Sequence, residues 1–188
     1  MNIKGRAVTL RAIEEGDLEY LQKWANDPIT QDGIGEQHFP SSMDFHKTWF
    51  QALKNDSLNQ RFVVEVPDGG VIGVSSLISI DWRNSHAWHG LVLGEESHRG
   101  KGYGIDAIMA TMRYAFEEMN LQRLDGAMLE YNTLSLSTYC GMKLGWKEEG
   151  RRRDYYFRKG RYWDQILVGV TKQDYLTLID STKYWDVT

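Results

Sequence analysis

At 188 residues, with 41% hydrophobic and 26% charged side chains, the chain is long enough for one domain with a single hydrophobic core and too ordinary in composition for a disordered or fibrous protein. A net charge of −4 argues against a general nucleic-acid-binding surface, which needs clustered Lys and Arg. The one cysteine, Cys140, excludes an internal disulfide and leaves a cysteine-based zinc site without a second thiol, so no metal is expected.

In chain order, residues 8–10 read as a short strand, and Asp17 then offers an N-cap to a helix that places Leu18, Leu21, Trp24 and Ala25 on one face. Asn26-Asp27-Pro28 ends that helix, and Ser41-x-x-Asp44 resembles a capping box opening a second one with Phe45, Trp49 and Leu53 aligned. Residues 61–66 and 71–80 are β-branched runs joined by Pro67-Asp68-Gly69-Gly70, the pattern of an antiparallel hairpin. Residues 88–93 form another strand, followed by a glycine-rich turn and a helix from about 104 to 120 with Ile105, Ile108, Met109, Met112 and Phe116 on one face. A strand over 123–129, a short helix over 135–144 and an antiparallel pair, 146–157 with 163–170, around Lys159-Gly160 complete the reading; beyond Tyr175 the signal is ambiguous. With no repeat, low-complexity tract or linker, residues 1–188 are expected to be one domain. The N-terminus lacks the apolar core of a secretory signal and no run approaches the roughly 20 apolar residues of a membrane span, so a cytoplasmic protein without a membrane partner is expected.

Arg99-Gly100-Lys101-Gly102-Tyr103-Gly104 is the most informative string, lying between a strand and an amphipathic helix. Amides at a helix N-terminus lack intrahelical partners and carry the positive end of the helix dipole, so they converge on anions such as a pyrophosphate. A P-loop would need Ser or Thr after its Lys, whereas Gly102 follows Lys101, and the dinucleotide-binding fingerprint has a different glycine spacing. The remaining order is Arg-x-x-Gly-x-Gly.

That order, carried by Arg99, Gly102 and Gly104, resembles the pyrophosphate loop of the GCN5-related N-acetyltransferases. The likeness extends over Thr9-Leu10-Arg11, the central hairpin, Leu144-Gly145-Trp146 and Glu149-Gly150, while Gly160-Arg161-Tyr162-Trp163-Asp164 looks like the branch with ribosomal-protein N-terminal and spermidine acetyltransferases. The resemblance implies an α+β fold: an αβα sandwich on a mixed, mostly antiparallel sheet of about seven strands, splayed at its centre. It implies acetyl-CoA or another short acyl-CoA as cosubstrate, its pyrophosphate on Arg99, Gly100, Lys101, Gly102, Tyr103 and Gly104 and its pantetheine arm beside Leu91, Val92 and Leu93. Asn132 orients the arm, Ser135 is the small residue three positions on, and Tyr139 is the acid that protonates the departing thiolate. Counting back from Gly145 puts the family's tyrosine at Gly141 instead, which a two-residue insertion after Tyr139 reconciles; the competing reading of Tyr139 is a half-buried packing residue.

A glutamate base is absent where Trp88 stands; His89 is the candidate base, with Asp81 or Glu130 reached through water as alternatives. Trp82 and Trp88 are the aromatic residues best placed to meet the acceptor, whereas Trp24 and Trp49 sit at core spacing and Arg151-Arg152-Arg153 reads as a solvated face. The acceptor is expected to be a small-molecule primary amine, an amino sugar, free or nucleotide-linked, being favoured by the aromatic content. The alternatives are a protein N-terminus, a polyamine, an aminoglycoside, or a non-catalytic acyl-CoA-binding regulatory module. Dimers being common among such proteins, a homodimer is the default assembly.

Overall fold

The computed structural model describes residues 2–35, 39–68, 70–141 and 144–186; of the expected elements, Gly69 in the hairpin turn and positions 142–143 of the short helix lie outside them. Eight strands form one sheet in the order β1-β2-β3-β4-β5-β6-β8-β7. They are β1 (Ile3–Lys4), β2 (Thr9–Ala12), β3 (Gln60–Glu65), β4 (Val71–Asp81), β5 (His86–Leu93), β6 (Arg123–Leu129), β7 (Lys147–Arg158) and β8 (Arg161–Thr171). All neighbours are antiparallel except β5 and β6. The two-residue β1 is the strand beyond the seven expected, too short for any periodicity to reveal it.

Among the described residues three α-helices, not two, come before β3: α1 (Leu18–Ala25), α2 (Pro28–Asp32) and α3 (Met43–Ala52). Asp27 accepts hydrogen bonds from the amides of Ile29 and Thr30, and Pro28 occupies the first turn, so the dipeptide that stops α1 also starts α2. Asp17 is the N-cap residue of α1 by position but caps no α1 amide with its side chain: the buried carboxylate accepts from Arg11 Nη1 at 2.8 Å, Arg11 Nη2 at 3.0 Å and the Glu14 amide at 2.7 Å. In α3 the cap is Ser42, while Ser41 Oγ meets His46 Nε2 at 3.0 Å. His46 is therefore buried, Trp49, Phe50 and Leu53 pack inward, and Phe45 is exposed rather than aligned with them.

The main core lies between the sheet and α4 (Tyr103–Arg113), which continues as a wider π turn over Tyr114–Glu118. Ile108, Met109, Met112 and Phe116 are fully buried there, as their spacing predicts. Asp106, in the first turn of α4, is buried and accepts the amides of Arg6, Ala7 and Val8 at 2.7–2.8 Å and the hydroxyl of Tyr184 at 2.8 Å. Three amides and a hydroxyl satisfy a carboxylate that burial would otherwise penalise, and both ends of the described chain are thereby fixed to the start of α4. The ambiguous tail is α6 (Lys172–Thr182), whose Tyr175 is buried against Phe116. No helix among the described residues is long and apolar enough to cross a membrane.

Candidate active site

β5 and β6 run parallel and pair only at His86 with Arg123, Ala87 with Leu124 and Trp88 with Asp125. Beyond Trp88 the strands part, leaving the rest of β5 without a partner on that side and a wedge-shaped cleft in the centre of the sheet. The cleft is the expected splay. Its mouth, at the C-terminal ends of both strands, faces the start of α4.

Gly102 is the N-cap of α4, with φ +83° and no side chain capping the helix. Gly100 is also left-handed, at φ +74°, and a Cβ at either glycine would stand in open space. Crowding does not impose these glycines; backbone conformation does. The amides that open α4 are left to face solvent or an anion. Gly104 serves differently: a Cβ there would come within 3.2 Å of Leu93 Cδ1 and 3.8 Å of Leu91 Cδ2, so glycine lets α4 lie against β5. Lys101 is exposed and Tyr103 stacks loosely on His98, ring centroids 6.0 Å apart. Arg99 folds back, donating Nε (3.2 Å) and Nη2 (3.0 Å) to the carbonyl of Leu93 and Nη2 to Thr30 Oγ1 at 3.3 Å. It ties the loop to the end of β5.

On the other side of the mouth, Asn132 caps α5 (Thr133–Leu136), its Oδ1 accepting from the Ser135 amide at 3.1 Å and its Nδ2 donating to the Gly33 carbonyl at 2.9 Å. The segment from Thr30 to Gly33 thus touches Arg99 on the β5 side and Asn132 on the β6 side. Sequence reasoning missed this bridge, although Asp27-Pro28 carries the signal for the helix that builds it.

After α5 the chain makes a π turn, Ser137–Gly141, which takes up part of the surplus length between Tyr139 and Gly145. Tyr139 is buried while Gly141 is exposed, so the inward position is the one spaced from Asn132. Its ring meets Trp146 edge-on at 5.0 Å and His89 at 5.8 Å, and His89 also meets Trp146 at 5.8 Å. His89 is the first β5 residue past the last paired position. The Tyr139 and His89 rings therefore come together where the cleft begins, on the α4 side of the sheet.

Burial pushes the His89 pKa down to about 4 and raises that of the Tyr139 hydroxyl above its ordinary value. Neither ring nitrogen of His89 has a hydrogen-bond partner among the described residues. His89 is neutral when folded and protonated when unfolded between its folded value and its ordinary 6.5, so its contribution to stability is complete above pH 6.5 and is lost as pH falls toward 4. A drop from pH 7.5 to pH 5 is expected to remove about 2 kcal/mol through this residue. His89→Phe should lack that part of the acid sensitivity in urea unfolding at the two pH values; equal losses in both proteins would assign the sensitivity to another group.

Trp88 points to the opposite face from His89 and neighbours Asp125 at the point where the strands part. Trp82 is not brought to the cleft: it stands half exposed on the turn beyond the closed end, its Nε1 3.4 Å from the Ser57 carbonyl. Trp24 is core, donating from Nε1 to Glu95 at 2.9 Å, as its helical spacing predicts. Cys140 is exposed, and partial burial followed by the charge of Glu148 raises its thiol pKa, which disfavours a nucleophilic thiolate. No group of three or more His, Cys, Asp or Glu among the described residues is placed to hold a metal ion.

The family profile described as an acetyltransferase (GNAT) domain matches residues 7–145. The SPbeta prophage-derived uncharacterized N-acetyltransferase YokL of Bacillus subtilis (strain 168) is 28% identical over 172 residues, 91% of this chain and 93% of its own. A structure of spermidine N-acetyltransferase from Vibrio cholerae in complex with CoA and spermine aligns with a TM-score of 0.84 at 27% identity, covering 90% of this chain and 98% of that one. A dodecameric structure of the Vibrio cholerae enzyme in an intermediate state aligns with a TM-score of 0.76 at 26% identity, covering 90% and 96%. Splayed sheet, CoA-bound structural relative and family profile together make this protein an acyl-CoA-dependent N-acyltransferase, with acyl-CoA as cosubstrate. More narrowly, the chain belongs to the GNAT acetyltransferase family.

Proposed function

We propose that the protein transfers an acetyl group from acetyl-CoA to a primary amine of a polyamine of the spermidine and spermine class. The observation that carries this reading is the likeness, over nine-tenths of the chain, to a spermidine N-acetyltransferase holding CoA and spermine. The net charge of −4 suits a polycationic acceptor. An amino sugar, the acceptor favoured by composition, loses its main support because Trp82 lies outside the cleft.

In this reading the Gly102, Tyr103 and Gly104 amides hold the pyrophosphate, the unpaired edge of β5 from Gly90 to Leu93 lines the pantetheine arm, and Asn132 retains one N–H to orient it. The amine nitrogen attacks the thioester carbonyl, a C–N bond forms, the C–S bond breaks, the Tyr139 hydroxyl donates its proton to the departing sulfur, and the proton the nitrogen loses as the amide forms restores that hydroxyl. The proton of the attacking ammonium leaves through water on the Trp88 face. A neutral His89 with a pKa of about 4 is a poor acceptor for it, so His89 acts by positioning Tyr139. Assembly into a closed homo-oligomer belongs to the same reading, since β7 is a sheet edge with Tyr155 and Phe157 exposed.

The test is thiol release from acetyl-CoA with spermidine, spermine, free and nucleotide-linked amino sugars, aminoglycosides and short peptides as acceptors. Release with the polyamines is expected. Turnover of an amino sugar or peptide without turnover of a polyamine would overturn the assignment, and acetyl-CoA binding with no turnover of any amine would favour a regulatory module.

A further inference from the structure

Lys159 lies in the tight turn between β7 and β8, where Lys159 and Gly160 both have positive φ. Its ammonium is exposed but paired. Nζ is 2.7 Å from Asp32 Oδ2, at the C-terminal end of α2, and 4.6 Å from the centre of the Tyr131 ring. Tyr131 in turn donates its hydroxyl to the Asp32 carbonyl at 2.8 Å, and Trp163 packs edge-on against it at 4.7 Å. The arrangement is a carboxylate beside an aromatic face, flanked edge-on by a second ring and occupied by a primary ammonium on a four-carbon chain. A polyamine carries the same group at the end of its aminobutyl arm.

The cluster also adjoins the elements that build the proposed reacting centre. Tyr131 follows the end of β6 by two residues and precedes Asn132, the cap of the helical segment that carries Tyr139. That segment is α5 followed by the π turn Ser137–Gly141, so the cluster stands at the base of the element that carries the proposed acid. From this juxtaposition we infer that Asp32, Tyr131 and Trp163 form the subsite for the ammonium distal to the one acetylated, and that Lys159 is a tethered occupant that the substrate displaces. The inference rests on the polyamine reading above. Both partners are substantially exposed, with side-chain exposures of 57% for Lys159 and 42% for Asp32, so the internal pair is weak enough to exchange for a ligand of the same chemistry.

Steady-state kinetics with spermidine and with a monoamine of similar alkyl length test it. Lys159→Met keeps most of the aliphatic stem and vacates the site, so KM for spermidine is expected to fall by about three- to tenfold, with KM for the monoamine and for acetyl-CoA unchanged. Asp32→Asn should raise KM for spermidine by a similar factor, again sparing the monoamine, and should cancel the gain in the double variant. Thermal unfolding of each variant accompanies the kinetics. Spermidine turnover with a KM indifferent to both substitutions, or equal shifts for spermidine and monoamine, would overturn the subsite while leaving the polyamine reading standing. A wild-type enzyme that turns over another amine but not spermidine would remove that reading and the subsite together.

Discussion

Gly102→Trp is expected to weaken acetyl-CoA binding by about a hundredfold or more while the protein remains folded. Gly102 caps α4 with φ +83°, a conformation that costs an L-residue about 1–2 kcal/mol, and a Cβ there meets nothing within 4 Å. The indole would therefore not clash with the protein; it would extend into the open space in front of the first amides of α4. A hydrogen bond to a charged group contributes roughly 1.5–3 kcal/mol, so losing two such amide contacts accounts for a hundredfold change. Gly102→Ala separates the causes, because it carries the same backbone strain with almost none of the bulk. It should lose stability comparably but retain most of the affinity in calorimetric titration. Unaltered affinity in folded Gly102→Trp would place the pyrophosphate elsewhere.

The loop was legible because its information is local: glycine conformation and helix-start amides are properties of consecutive residues. The core face of α4 was legible for the same reason, through the 3.6-residue period of Ile108, Met109, Met112 and Phe116. The failures have a different physical origin. Asp17 holds the N-cap position of α1 as its sequence context predicts, but its carboxylate goes to Arg11 on β2 and the Glu14 amide instead of an α1 amide. Phe45 shares the helical spacing of Trp49 and Leu53, yet the histidine beside it, partnered by Ser41, takes the buried place. α2 escaped notice because Asp27-Pro28 both ends one helix and starts another. The contacts of Asp32, Gly33 and Thr30 with residues some 70 to 130 positions later are not written in any local pattern. The acceptor side depends on such contacts, and tryptophan content does not distinguish Trp88, beside the cleft, from Trp82, beyond its closed end.

Tyr139→Phe should lower kcat by roughly a hundred- to ten-thousandfold, the range in which general acids contribute, and leave acetyl-CoA affinity within about twofold of wild type. The ring is held by edge contacts with Trp146 and His89, which phenylalanine keeps, so the variant should unfold at nearly the wild-type temperature. That separation matters because the rival role for Tyr139 is packing. A packing residue would tolerate loss of its hydroxyl in both stability and turnover, whereas an acid tolerates it only in stability. Burial raises the Tyr139 pKa above its ordinary value, so the hydroxyl stays protonated throughout the neutral range and remains a donor to the thiolate as the C–S bond breaks. The deficit in the phenylalanine variant should therefore be the same at pH 6.5 and pH 8.5. A kcat within threefold of wild type would remove Tyr139 from the chemistry. A deficit that varies tenfold between those pH values would mean that the missing proton came from a group titrating near neutrality, and the acid would then have to be sought among the groups lining the cleft rather than on the helical turn after Asn132.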